Sequence, residues 1–322
     1  MSPSSNPEVQ NPTGISVILC THNPREDYLN RVLEGLRCQS LPSSRWELLL
    51  IDSASENPLS QRVDLTWHPR GSVLRDDSPG HLRARVRGIQ AATEGMLVFV
   101  DDDNVLAPDY LEEVLRISDE YPRLGVWGGS VIGEYETPPP AWLEPYEHVI
   151  SVRRITRDTW SNVPVMEEPW VIGAGMAVRR ELAVPYAVLV MTDTRRLMLG
   201  RKGTSIMGAD DLDFIMSICD QGYGRGVFQS LSVTHLIPPW RCEEEYVWNL
   251  AKYNAASMEL IRFFRSGSNG IPRSPSLLKR VADWSGRLRL PRHAKRYACA
   301  VCHGVALARR ILKDQKNKTH SE

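Results

Sequence analysis

The 322-residue sequence contains no apolar run approaching the ~20 residues that cross a bilayer as a helix, so nothing in it reads as a membrane span. Its opening stretch, MSPSSNPEVQNPTG, lacks the apolar core of a secretory signal, and the chain therefore reads as cytosolic. Cysteine is scarce: Cys20, Cys38, Cys219, Cys242, Cys299 and Cys302 are too few for a disulfide scaffold, and most should be free thiols in a reducing compartment. An excess of one charge is missing as well. Lys and Arg total 39, Asp and Glu total 39, so the chain-wide basic field that drives nucleic-acid binding is absent. What remains is an ordinary composition, 42% hydrophobic and 24% charged, which excludes a wholly disordered, collagen-like or coiled-coil protein. The length allows one large domain with an appendage, or two small ones.

Residues 1–14, rich in Ser, Pro and Asn, read as a loose tail. Ile15-Ser-Val-Ile-Leu-Cys20 reads as a strand, followed by a loop and a helix. Asn23 is placed to cap that helix, with Pro24 at its first position and Glu26 completing a capping box. Leu29, Val32, Leu33 and Leu36 form its buried stripe, and Trp46 to Ile51 is a second strand ending at Asp52. The order then repeats, with a turn-rich stretch, a helix from about His81 to Thr93 terminated by Gly95, and a strand from Met96 to Val100. Alternating strands and helices imply a parallel sheet covered on both faces. Ligands of such sheets sit at the carboxyl ends of the strands, so Thr21 to Asn23, Asp52 to Ser55 and Asp101 to Asn104 should gather at one rim.

The second half differs. A helix follows Asp109, with Leu111, Val114 and Leu115 at helical spacing. Thr137 to Trp142 should be an ordered surface loop, residues 171–178 read as a strand, and Leu212, Ile215, Met216 and Cys219 mark a helix stopped by Gly222. From about Glu243 the pattern turns helical, with a Ser/Gly/Asn/Pro break at residues 266–276. Residues 273–318 carry thirteen Lys or Arg against Asp283 and Asp314.

Val100-Asp101-Asp102-Asp103-Asn104 is the most informative stretch. Three consecutive carboxylates at the end of a buried strand repel one another, so solvent or a hard divalent cation must be present. Asp101 and Asp103, one residue apart, can both aim at one ion while Asp102 points away. A solvated acidic turn is the plain alternative. An EF-hand loop is excluded, because its spaced ligands, turn glycine and terminal Glu are missing.

Cys20-Thr21-His22-Asn23-Pro24 resembles the first-strand loop of family 2 glycosyltransferases, written P-T-Y-N-R, and Leu50-Ile51-Asp52-Ser53-Ala54-Ser55 resembles their V-V-D-D-G-S. Ala84-Arg85-Val86-Arg87-Gly88-Ile89 is similar to A-R-N-x-G-I, and Val100 to Asn104 to the L-D-x-D-D metal motif. Gly173 to Arg180 resembles G-x-x-x-x-x-R-R, and Gly208-Ala209-Asp210-Asp211 the acceptor-side G-x-E-D. The likeness spans residues 15 to about 241. Ser53, Val86 and Asp210 depart from it, standing where Asp, Asn and Glu are usual.

The resemblance implies a GT-A fold: α/β, with a Rossmann-like, mostly parallel sheet flanked by helices and a C-terminal helical extension. Residues 15–242 would form the glycosyltransferase domain, with 15–104 binding nucleotide and 105–242 binding acceptor, and residues 243–322 a basic helical extension. It implies a metal-dependent, inverting transfer of a sugar from a nucleoside-diphosphate sugar, a UDP- or GDP-sugar first, to a saccharide or lipid-linked acceptor. Mn²⁺ or Mg²⁺ would be held by Asp101, Asp103 and His235. Thr21, His22, Asn23, Asp52, Ser55, Arg85, Asp102 and Arg241 would contact the nucleotide-sugar, where Arg241 suits phosphate as a planar bidentate donor. His235 reads equally as a structural histidine and Arg85 as a surface residue of its helix, while a strand-end cap is the lesser alternative for Asp52.

The attacking hydroxyl must lose a proton to a carboxylate within hydrogen-bond reach. Asp211 is the candidate base and Asp210 the second choice; either also reads as a helix N-terminal acid that stabilises the dipole. Trp142, Trp160, Trp170 and Trp240 are candidate sugar platforms or core residues. Cys299-Ala-Val-Cys302-His303 matches the haem attachment pattern C-x-x-C-H, but is set aside because no export signal or second axial ligand accompanies it. The basic tail reads as a solvated helix face or, preferred, as a peripheral contact with anionic lipid at the inner membrane face. A nucleotidyltransferase and a non-catalytic nucleotide-sugar binder are the competing functions; the first normally needs a Gly-rich phosphate loop where this chain has Thr-His-Asn-Pro.

Overall fold

A computed structural model of the chain describes residues 14–163, 168–201, 207–266 and 290–319. The expected loose tail, apart from Gly14, lies outside the described residues, as do most of the break at residues 266–276 and part of the basic segment after it.

Three apolar runs become the central parallel strands: β1 (Ile15–Thr21), β2 (Trp46–Ser53) and β4 (Met96–Asp101), with β3 (Gly71–Asp76) added at the edge. Their register sets three strand ends level, with Thr21 beside Asp52 and Cys20 beside Asp101. The other half of the sheet is mixed. It contains β5 (Asn104–Leu106), β6 (Leu124–Tyr135), β7 (Thr159–Ser161), β8 (Ala177–Arg179) and β9 (Gly224–Ile237). The strand order is β3-β2-β1-β4-β8-β6-β9-β5, with β7 paired to β9. β8 runs antiparallel between β4 and β6, whereas β6 and β9 run parallel.

Alternate residues of each buried strand serve opposite faces, so the sheet carries a core on each side. Ile15, Val17 and Leu19 pack with α1 (Glu26–Arg37) and α3 (Tyr110–Glu120). Ile18 and Cys20 face α2 (His81–Ala91), α4 (Arg180–Thr192) and α5 (Asp210–Asp220). Each fully buried Leu, Ile or Phe adds about 1.5–3 kcal/mol of transfer free energy. Last come α6 (Glu244–Ser266) and α7 (Arg292–Thr319), packed on each other and tied through Val247, Leu250 and Leu260 to smaller clusters beside the sheet.

Two local readings need correction. Asn23 does not cap α1, whose N-cap is Arg25 with no side-chain capping bond. Asn23 lies in the left-handed region with φ 48°, and its side chain turns to the neighbouring loop instead. Residues 171–178 are not one strand, since only Ala177–Arg179 pairs; Val171 and Met176 are apolar because they line a buried loop turned by Gly175 at φ 72°.

Candidate active site

The loop after β1 is knitted to the loop after β2. The His22 Nδ1–H donates to the Ser53 carbonyl at 2.6 Å, the Asn23 amide donates to Ser55 Oγ at 3.0 Å, and Asn23 Oδ1 accepts from the Glu56 amide at 2.9 Å. Asp52 is buried beneath them. Its carboxylate accepts from the Ser55 and Leu59 amides at 2.9 and 3.1 Å and from Arg75 Nη1 at 2.8 Å. Burial works against its charge, but those donors outweigh it and hold the carboxyl below its usual range.

Asp101, Asp102 and Asp103 follow directly from β4 and line a cavity of about 600 Å³ at the strand ends. They do not share one orientation. Asp101 Oδ1 lies 3.2 Å from His81 Nε2 and 3.9 Å from Arg85 Nη2. Although enclosure raises its carboxyl, His81 and then Arg85 bring it down to about 2. Asp103 faces another set of partners: Arg241 Nη1 at 2.8 Å, His235 Nε2 at 3.6 Å and the Asn104 side-chain amide at 2.7 Å. Burial opposes its ionisation, yet Arg241 and His235 keep it well below the carboxylate range. Asp102, expected to point away, accepts a hydrogen bond from the Thr21 hydroxyl. Burial, and then the charge of Asp103, push its carboxyl up.

The N-terminus of α5 lines the same cavity. Asp210 Oδ2 receives Arg85 Nη1 at 3.1 Å and lies 3.3 Å from His81 Nδ1. Burial raises its carboxyl, but Arg85 and His81 win and lower it. Asp211 makes no ion pair among the described residues: its oxygens accept the Gly173 amide at 3.1 Å and its neighbour Leu212 at 2.8 Å. Burial and the adjacent Asp210 raise its carboxyl. The fold uses Gly173 closely, since a Cβ there would stand 2.6 Å from Arg85 Nη2.

The cavity thus brings together Thr21, His22, Arg85, Asp101, Asp102, Asp103, Asp210, Asp211, His235 and Arg241. Asn23, Asp52 and Ser55 do not line the cavity but hold its loops, Asp52 and Ser55 from buried positions and Asn23 from an exposed one. Asp101, Asp103 and His235 do not converge on one point, and among the described residues no group of three or more His, Cys, Asp and Glu side chains is arranged as a metal site. Of the tryptophans, Trp240 is half exposed and meets Tyr246, a cavity residue, edge-on at 4.9 Å. Trp142 stacks on His293, Trp170 packs on the cluster around Leu260, and Trp160 is exposed beside β9.

Sequence reasoning missed His81, which touches both acidic groups, and Arg201, a cavity cation whose charge helps hold Asp103 ionised. A histidine opening a helix just before the Arg85 motif was the available signal for the first; nothing in the sequence marked the second.

With this geometry in place, comparison with known proteins is informative. The family model described as "Glycosyl transferase family 2" matches residues 16–183. The "uncharacterized protein y4gI" of Sinorhizobium fredii is 32% identical over 118 residues, which is 35% of this chain and 13% of that protein. The "putative glycosyltransferase EpsH" of Bacillus subtilis is 27% identical over 106 residues, 33% of this chain and 30% of that one. These relatives are therefore matched over well under half of their own length. The "glucosyl-dolichyl phosphate glucuronosyltransferase" of Haloferax volcanii is 21% identical over 237 residues, 72% of each chain. Among solved structures, residues 1–349 of S. aureus TarS share the fold at a TM-score of 0.52 and 16% identity, over 95% of this chain and 92% of that one. The chain belongs to glycosyltransferase family 2 and has the GT-A type of fold, with a curled, mostly parallel sheet and C-terminal helices.

Proposed function

We propose that the protein is an inverting, metal-dependent glycosyltransferase that moves a sugar from a UDP- or GDP-sugar to a saccharide or lipid-linked acceptor. The observation that carries this reading is the gathering of two acidic groups in one cavity at the strand ends, Asp101 to Asp103 from the turn after β4 and Asp210 with Asp211 from the start of α5. In the reaction the bond from the anomeric carbon to the diphosphate breaks as the acceptor oxygen bonds to that carbon. The hydroxyl proton passes to Asp211, and the nucleoside diphosphate leaves. A positioned base of this kind contributes about 10²- to 10⁴-fold. The raised carboxyl of Asp211 makes it a better proton acceptor than a solvated aspartate, whereas Asp210 is committed to Arg85 and His81.

The chemistry of the donor set suits a hard divalent cation, although Asp101, Asp103 and His235 would have to turn toward one point to hold it. Three carboxylates share one turn, and burial beside Asp103 leaves Asp102 short of compensating charge. Mn²⁺ or Mg²⁺ held by Asp101, Asp103 and His235, with Asp102 beside them, would neutralise charge building on the departing diphosphate. Arg241 and Arg201 are the chain's own cations for that diphosphate, and residues 15–104 would bind nucleotide while 105–242 receive the acceptor. In the C-terminal extension, 243–322, the exposed Arg310 and Lys313 of α7 support peripheral contact with anionic lipid on the cytoplasmic face, whereas Arg292 and Arg296 pair with Glu244 of α6. No helix among the described residues is long and apolar enough to cross a membrane.

The test is turnover of a panel of nucleotide sugars with Mn²⁺ or Mg²⁺, in the parent chain and in Asp103→Ala and Asp211→Asn. Both variants should lose at least about 100-fold. Undiminished turnover in both would refute the assignment, and binding without turnover across the panel would favour a non-catalytic binder.

A further inference from the structure

We infer that His81 is a positioning residue that ties the acidic turn after β4 to the acidic pair opening α5, and so fixes where the base stands relative to the bound donor. The inference rests on the reading of the site above and deepens it by identifying what joins its two acidic groups.

His81 is the first residue of α2, and its backbone N–H is held by the Arg201 carbonyl at 3.0 Å. From there the ring meets a carboxylate at each nitrogen: Asp101 Oδ1 is 3.2 Å from Nε2, and Asp210 Oδ2 is 3.3 Å from Nδ1. These acids come from parts of the chain more than a hundred residues apart. Since both ring nitrogens are engaged, neither is left to contact substrate, and the residue acts through the carboxylates. Arg85 lies one helical turn later on the same face of α2. It reaches Asp210 at 3.1 Å and Asp101 at 3.9 Å. The face continues to the base: the Arg85 guanidinium presses on Gly173, and the Gly173 amide holds Asp211 at 3.1 Å. One helix face thus contacts both acidic groups, with the half-buried His81 as the direct bridge.

The experiment uses the full chain with His81→Ala and His81→Gln. A glutamine amide keeps two N–H donors and can still bridge two carboxylates, whereas alanine cannot. Three quantities are measured: affinity for UDP in the presence of Mn²⁺, turnover of whichever nucleotide sugar the parent chain uses, and amide hydrogen exchange across residues 101–106 and 207–213. Misplacing a catalytic group by about 1 Å can cost 10²-fold, so His81→Ala should lose ~100-fold in turnover while UDP affinity stays within about threefold. Exchange in the two segments should quicken at least about tenfold as local opening becomes easier. His81→Gln should restore protection and bring turnover to within about tenfold of the parent. Unchanged turnover in His81→Ala, UDP affinity falling in step with turnover, or a folded but inactive His81→Gln would each overturn the proposal. If the parent chain turns over no donor, the glycosyltransferase reading fails. The bridge is then judged by exchange alone, and unchanged protection in His81→Ala sinks it.

Discussion

Asp211 and Asp52 are both enclosed aspartates, yet their surroundings drive them in opposite directions. Asp211 is penalised by burial and by Asp210, which together outweigh the charge of Arg85 and two amide hydrogen bonds. A base works only when deprotonated, so turnover should fall as the pH drops through an apparent value above the ordinary carboxylate range near ~4. In Asp210→Asn the neighbouring charge is gone and that acid limb should move to lower pH; a kcat/KM profile of both forms checks it. Asp52 is surrounded by donors, which lower its carboxyl in the folded state. Its contribution to stability is therefore complete above the unfolded value and is lost as the pH falls through the folded one. Asp52→Asn turns an NH₂ group toward N–H donors and should cost about 3 kcal/mol at pH 7. Urea denaturation should show that gap narrowing toward pH 3.

Close approaches between elements give sharper tests. A Cβ on Gly173 would press on the Arg85 guanidinium, so Gly173→Ala should displace Arg85 from Asp210 and lower turnover by at least about tenfold while the melting temperature changes little. On the far side, a Cβ at Gly304 of α7 would stand 2.1 Å from the Lys252 carbonyl and 2.8 Å from the Ala255 Cβ in α6. Gly304→Val should loosen that helix pair by about 1–3 kcal/mol, read by thermal denaturation.

The same elements show what a sequence reveals. β1, β2 and β4 were legible because strands buried on both faces are continuous apolar runs, and α1, α3 and α5 because each buries one stripe. β3 was missed because Gly71 to Asp76 is a half-buried, polar edge. β6 and β9 were obscured by Gly125, Gly128 and Gly129 and by Gly224 and Gly226, which break the alternation, and α4 by Pro185 inside it. The carboxylates of the site were readable because a triplet at a strand end needs an explanation. His81 was not, because its partners converge only after β4 and α5 have packed against α2.

Taken as a whole, the chain is neutral, yet five aspartates face three arginines in the cavity while α7 carries an excess of basic residues. On the proposed function, a cation entering with the donor offsets the carboxylates of the acidic turn. Chelation should therefore abolish turnover, and adding Mn²⁺ or Mg²⁺ back should restore it, with little change in the unliganded fold. The most direct measurement is calorimetric titration of UDP and GDP into the parent chain and Asp103→Ala, each with and without Mn²⁺. One of the two nucleotides should bind the parent chain with Mn²⁺ and lose at least about tenfold in affinity, about 1.4 kcal/mol, when either the ion or the Asp103 carboxylate is removed. Equal affinity in all four conditions, or no binding of either nucleotide, would contradict the proposal that the acidic turn after β4 receives the donor.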